Sequence, residues 1–132
     1  VKKRILYSLI IVILFLLVIY VISGLTIRKT VNSIIADAIL EYPGDNIEAL
    51  MAYVRSENHN LKEKNRAIWA LGQLGDARAL PLLEELYTGK PCNHDRYLCQ
   101  HEIKKAIKLC RGSFNITALL WRDDHSIGSK FR

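Results

Sequence analysis

The chain has 132 residues, half of them hydrophobic, and a formal net charge of +6. Five of its nineteen Lys and Arg flank one apolar stretch, and beyond Lys29 fourteen basic residues face thirteen acidic ones. A nearly neutral body of about one hundred residues holds one small core and not two domains, and it lacks the concentrated positive face that nucleic-acid binding needs.

At the front, residues 5–22 carry no charge and only Tyr7, Ser8 and Tyr20 as polar interruptions. Eighteen helical residues rise roughly 27 Å, and extension to Ile27 allows a tilted crossing of a bilayer. Lys2-Lys3-Arg4 precede the run and Arg28-Lys29 follow it. Residues 1–29 are therefore expected to form a basic flank and a single-pass membrane anchor. The competing reading is a cleaved signal peptide, with Val21 and Ser23 before Gly24, but the apolar core is longer than the usual ~7–15 residues. The larger basic group precedes the span, which favours an extracytoplasmic body, with a cytoplasmic one as the alternative. Ser23-Gly24 and the short basic segment after them are the expected hinge.

Val31, Ile34, Ile35, Ala38, Ile39 and Tyr42 then recur at helical spacing until Pro43-Gly44. Asp45 with Glu48 three residues later is a capping-box pattern. Ala67, Ala70, Leu71 and Leu74 share one face of the next long helix, and Ala79, Leu82, Leu83 and Leu86 share one face of its successor. Between them Gly75 can supply a left-handed stop, Asp76 can cap, and Pro81 sits where its missing N–H costs little. Ile103, Ala106, Ile107 and Cys110 make a last stripe. The predicted helices lie near 30–42, 46–57, 61–74, 78–88 and 99–110. From Asn115 a short capping helix is expected, with Trp121 over the open end of the stack and a frayed end through residues 123–132.

Arg66, Ala67, Ala70-Leu71-Gly72, Leu74-Gly75-Asp76 and Ala79-Leu80-Pro81-Leu82-Leu83 resemble a HEAT repeat, in the HEAT-like form also found in phycobilisome lyases. The likeness is strong over these 25 or so residues and loose elsewhere. Shifted back by thirty positions, the second half falls on Ala49-Leu50-Met51-Ala52-Tyr53; shifted forward by thirty-six, the first falls on Ile103, Ala106, Ile107 and Cys110. A period in the thirties fits helical-pair arrays. The resemblance implies an all-α fold, a short right-handed helical-hairpin solenoid over 30–114 of about two and a half repeats, closed by a cap and tail at 115–132. It implies an interaction scaffold without family-wide catalytic residues, or, more distantly, an accessory of the chromophore-lyase kind.

Three cysteines invite chemistry. On one helix Cys99 and Cys110 would be roughly 16 Å apart, far beyond the ~4.4–6.8 Å between alpha carbons that a disulfide allows. Cys92 can instead fold back on Cys99, a bridge suited to an oxidising compartment. Cys92, His94, Cys99 and His101 are alternatively the ligand types of a metal site, although the spacing is no familiar zinc pattern. A third reading leaves all three as free thiols, with Cys110 packing as a small apolar residue. No nucleophile–base arrangement and no phosphate loop occurs, so neither catalytic residues nor a cofactor are expected. Glu84-Glu85 belong to a solvated face.

For partner contact the candidates are Trp69, with Arg66 and Gln73 beside it on the side opposite the apolar stripe, and Tyr87. A large aromatic among polar neighbours is a common hot-spot composition, although packing against the adjoining helix pair would produce the same pattern. The expected function is a membrane-anchored, non-catalytic scaffold that docks a protein; the alternative is a thiol- or metal-active module using Cys92 and Cys99.

Overall fold

Forty consecutive residues, Lys2–Glu41, form the first helix, α1. The computed structural model describes residues 1–122, whose regular structure is all helical, with no strand among them. After α1 come α2 (Asn46–Arg55), α3 (Leu61–Leu74), α4 (Leu80–Leu86) and α5 (Gln100–Cys110), with 3₁₀ turns at Ala77–Ala79 and Thr117–Leu120. The all-α expectation holds. The expected tail end at 123–132 lies outside the described residues.

The hinge expected at Ser23-Gly24 is absent; the apolar run and the first body helix are one rod. A lone glycine in a helix costs only about 1 kcal/mol, and no proline interrupts residues 2–41. Thr26 and Thr30 donate their hydroxyls to the carbonyls of Ile22 and Thr26, which keeps them compatible with the helix. The rod ends where Tyr42, extended before Pro43, can no longer be helical. Its two halves have different surroundings. The apolar half is uncovered by protein, whereas Val31, Ile34, Ile35 and Ala38 are buried.

The remaining helices start where their caps dictate. The Asp45 carboxylate accepts the N–H groups of Ile47 and Glu48, and the Glu48 carboxylate accepts that of Asp45, as the sequence pattern predicts. Asn60 and Glu63 make a second, unanticipated box at the head of α3. Gly75 closes α3 at φ 64, and Asp76 accepts the Arg78 N–H. The expected helix at 78–88 is shorter: a 3₁₀ turn leads into α4, with Pro81 in its first turn, and Tyr87 is already extended.

α3 is the centre of the body, packed against α5, α2 and α1, with α4 laid on α5. Val31, Leu50, Ile68, Leu71, Leu82, Leu83 and Ile103 are its fully buried large side chains. Gly72 lets α3 approach α5 so closely that an added Cβ would lie 2.9 Å from the Ala106 Cα. Trp121, 2% exposed, is buried in the core. The chain then returns to α1: the Tyr20 hydroxyl donates to the Ile116 carbonyl at 2.7 Å, and Leu120 fills the space that a side chain at position 24 would need.

Candidate functional site

The loop between α4 and α5 is organised by one buried amide. Gln100, 5% exposed, accepts the N–H groups of Thr88 and Gly89 on its side-chain oxygen and donates to the carbonyls of Leu86 and Leu98. Tyr97 donates its hydroxyl to the Pro91 carbonyl, and the Cys99 N–H is fixed by the Asn65 side chain on α3 at 2.9 Å. These restraints fold the loop back over the head of α5.

The consequence is a pair of thiols. Cys92 Sγ lies 3.2 Å from Cys99 Sγ and 3.2 Å from the backbone nitrogen of His101, and both cysteines are in the free form. Cys92 is exposed and Cys99 buried. The hydrogen bond with Cys99, helped by the His101 N–H, holds the Cys92 thiol below its ordinary range. Burial pushes the Cys99 thiol up, and its bond with Cys92 adds to this. Chemically this is an exposed thiol with increased thiolate character beside a sheltered second one. Cys110 is different in kind: its S–H points at the Leu71 carbonyl and burial pushes it up to about 12, so it packs as an inert apolar residue.

The histidines do not join the thiols as a ligand set. His101 contributes its backbone N–H while its side chain is exposed on α5, and His94 faces a groove. Among the described residues no three His, Cys, Asp or Glu side chains are placed to hold a metal ion.

That groove, of about 600 Å³, runs between α1, α3, the loop and the start of α5. Thr30 and Ile34 form one wall, Asn65, Arg66 and Trp69 the second, and His94, Asp95 and Glu102 the third. Trp69 is half-buried against the margin of the core, and Arg66 is exposed at the rim. Gln73 lies elsewhere: its side chain accepts from Asn115 and its carbonyl accepts the Arg122 guanidinium, so the tail occupies it. Tyr87 caps the end of α4, partly exposed, and does not line the groove.

Two polar clusters are largely unmarked in local sequence. His59 stacks on Tyr53 with ring centroids 3.6 Å apart, meets Glu41 at 2.9 Å and Glu63 at 3.5 Å, and touches the Tyr42 hydroxyl. Arg78 bridges the capping carboxylates Asp45 and Asp76. Burial alone would raise both carboxyls, but hydrogen bonds from Arg78 and from backbone N–H groups outweigh it and hold them below the usual range. Only the pairing of Asp and Asn residues with helix starts was a usable signal for either.

Residues 64–88 match the family model of the PBS lyase HEAT-like repeat. The matched segment runs from within α3 to just beyond α4, which is the hairpin that the central core is built on. No curated protein and no solved structure matches the chain. Fold and match together define a small helical protein with a HEAT-like repeat at its centre and, among the described residues, one helix long and apolar enough to cross a membrane.

Proposed function

We propose that this is a single-pass membrane protein whose HEAT-like body docks a protein partner in the groove beside Trp69. The observation that carries the docking site is the groove itself: a half-buried indole at its side, with Arg66, Asp95 and Glu102 as a mixed-charge rim. An apolar anchor with polar edges suits a peptide segment presenting one large apolar side chain, flanked by charges of both signs. Retention of α1 as an anchor is supported by its contacts. Cutting before Gly24 would separate Tyr20 from Ile116 and leave the Gly24–Leu120 contact at a new chain end. The extracytoplasmic side is favoured by the flanking charges.

The test is a photo-crosslinker placed at Arg66 in the full chain, in native membranes, against a control at Glu85, exposed on α4 and outside the groove. A discrete adduct from position 66 alone, lost when Trp69→Ala is added while the thermal melt is unchanged, supports the reading. Equal adducts from both positions, or an adduct indifferent to Trp69, defeats it.

The thiol pair favours a second reading, a dithiol module. The Cys92 thiolate would attack a substrate disulfide, giving a mixed disulfide and releasing one substrate thiolate. Cys99 would then displace the second as a thiol, leaving the Cys92–Cys99 bridge. A Cys99→Ser chain that accumulates a covalent complex through Cys92 would favour this reading over plain docking.

A further inference from the structure

Around the 3₁₀ turn Thr117–Leu120 the chain leaves large apolar side chains uncovered: Phe114 is 77% exposed, Ile116 56% and Leu119 64%. Single exposed apolar residues are ordinary, whereas a contiguous patch marks a surface that something covers. This patch does not stand alone. The turn packs on α1 at the level of Tyr20 and Gly24, so the patch runs into the uncovered apolar surface of that helix.

Length decides what covers it. Below its first contact with the tail, α1 has fifteen uncharged residues, 5–19, which rise about 22 Å. A bilayer's hydrocarbon is roughly 30 Å thick and takes about twenty helical residues. Counted from Ile5, that depth is reached at Gly24. The helix therefore cannot be seated fully unless the level of Tyr20–Gly24 enters the bilayer, together with the turn packed on it. A polar turn would block this seating. Here the outward side chains are apolar, and much of the turn's backbone is already bonded within the protein: the Ile116 carbonyl to Tyr20, the Ala118 N–H to Asn115, the Ala118 carbonyl to Trp121 and Arg122. Tyr20 stands where interfacial aromatics concentrate, and Arg28 and Lys29 follow about one turn above Gly24, at headgroup height.

We infer that residues 114–120 form a lipid-inserting wedge beside α1, so that the body is held to the membrane at two points and rests on the bilayer surface. The wedge rests on the reading of α1 as a membrane anchor. Insertion by about 5–10 Å is the depth common to interfacial apolar segments.

The experiment uses the full chain in phosphatidylcholine nanodiscs, with methyl resonances broadened either by a 5-doxyl lipid or by a water-soluble gadolinium chelate. The expected result is loss of the Ile116 and Leu119 methyl signals to the doxyl lipid and their survival in the chelate, while Leu40, 85% exposed near the far end of α1, behaves oppositely. If the chelate removes Ile116 and Leu119 while Leu14 and Leu17 still report lipid, the wedge is refuted and the anchor stands. If neither agent reaches Ile116 and Leu119, protein covers the patch, from a second copy or from residues 123–132, and the wedge is again refuted. If Leu14 and Leu17 respond to the chelate, the anchor reading fails and the wedge with it.

Discussion

At Gly72 the two most closely packed helices of the body touch backbone to backbone, and Gly72→Ala tests whether that contact holds the fold. A Cβ there would fall 2.9 Å from the Ala106 Cα and 3.1 Å from its Cβ, while the Leu109 Cδ1 at 3.6 Å is an ordinary neighbour. The nearest atom is main chain, so no rotamer change can relieve the clash and α3 and α5 must move apart. Two opposing effects set the magnitude. Alanine in a helix interior is favoured over glycine by about 1 kcal/mol, and overpacking a well-filled contact costs about 1–3 kcal/mol. The net expectation is a loss of roughly 1 kcal/mol, or about 4–8 °C in the midpoint for a body of this size. Helicity at 222 nm, followed on heating the full chain in mild detergent, measures it. Adding Ala106→Gly should not rescue the variant, because it removes the 3.1 Å contact, leaves the 2.9 Å one, and places a second glycine in a helix. A midpoint that rises by the full propensity gain would show that α3 and α5 do not meet here, and the packing argument would be wrong.

Three other outcomes are expected. Oxidation of Cys92 and Cys99 closes an eight-residue loop, which raises stability by about 2.5 kcal/mol on the chain-entropy model; melts in reducing and oxidising glutathione should differ, and Cys92→Ser should abolish the difference. Iodoacetamide followed by mass mapping should modify Cys92 first, already below the usual thiol range of pH, and Cys110 last, since burial pushes it up to about 12. Asp45 and Asp76 are held below their ordinary value of 3.8, so the stability they lend is complete above that pH and is lost as pH falls through their lowered values. Arg78→Ala should weaken that acid loss and lower stability at pH 7 by about 1 kcal/mol, the bridge being partly exposed; an unchanged acid limb in denaturant titrations would contradict it.

The helices and their ends were legible because both are local. Asp45 with Glu48, Gly75, Asp76 and Pro81 act within a turn of where they stand, and the stripes from Val31 to Cys110 repeat at the helical period. What escaped depends on residues distant in sequence. Ser23-Gly24 looks like a hinge, but whether a helix breaks at glycine depends on what packs there, and Leu120 lies ninety-six positions away. The approach of Cys92 to Cys99 is imposed by Gln100 and Asn65, whose amides have no pattern that marks them as organisers. Trp69 and Arg66 were singled out by composition, yet the groove they share is completed by Thr30 and His94 from other elements. Gln73, grouped with them in sequence, bonds with the tail, and nothing in its neighbourhood foretells the arrival of Asn115 and Arg122. His59 gathers Glu41, Tyr53 and Glu63 from three segments, and only Glu63, four residues on, stands at a helical spacing from it.

An unbroken α1 also makes the helix a ruler and a lever. Thr30, on the groove wall, lies six residues beyond Gly24 on the same rod, about 9 Å along its axis. With α1 seated in a bilayer, the Thr30 wall of the groove stands within about a nanometre of the lipid, so a bulky soluble partner of the proposed docking site would be hindered by the membrane. Segments that emerge from the same bilayer, or that lie flat on it, have no such obstruction. A flexible neck would have let the body swivel to receive partners from any side. A stiff one ties its bearing to the tilt of the span, and a thinner membrane, by tilting the rod, would swing the mouth of the groove toward or away from the surface.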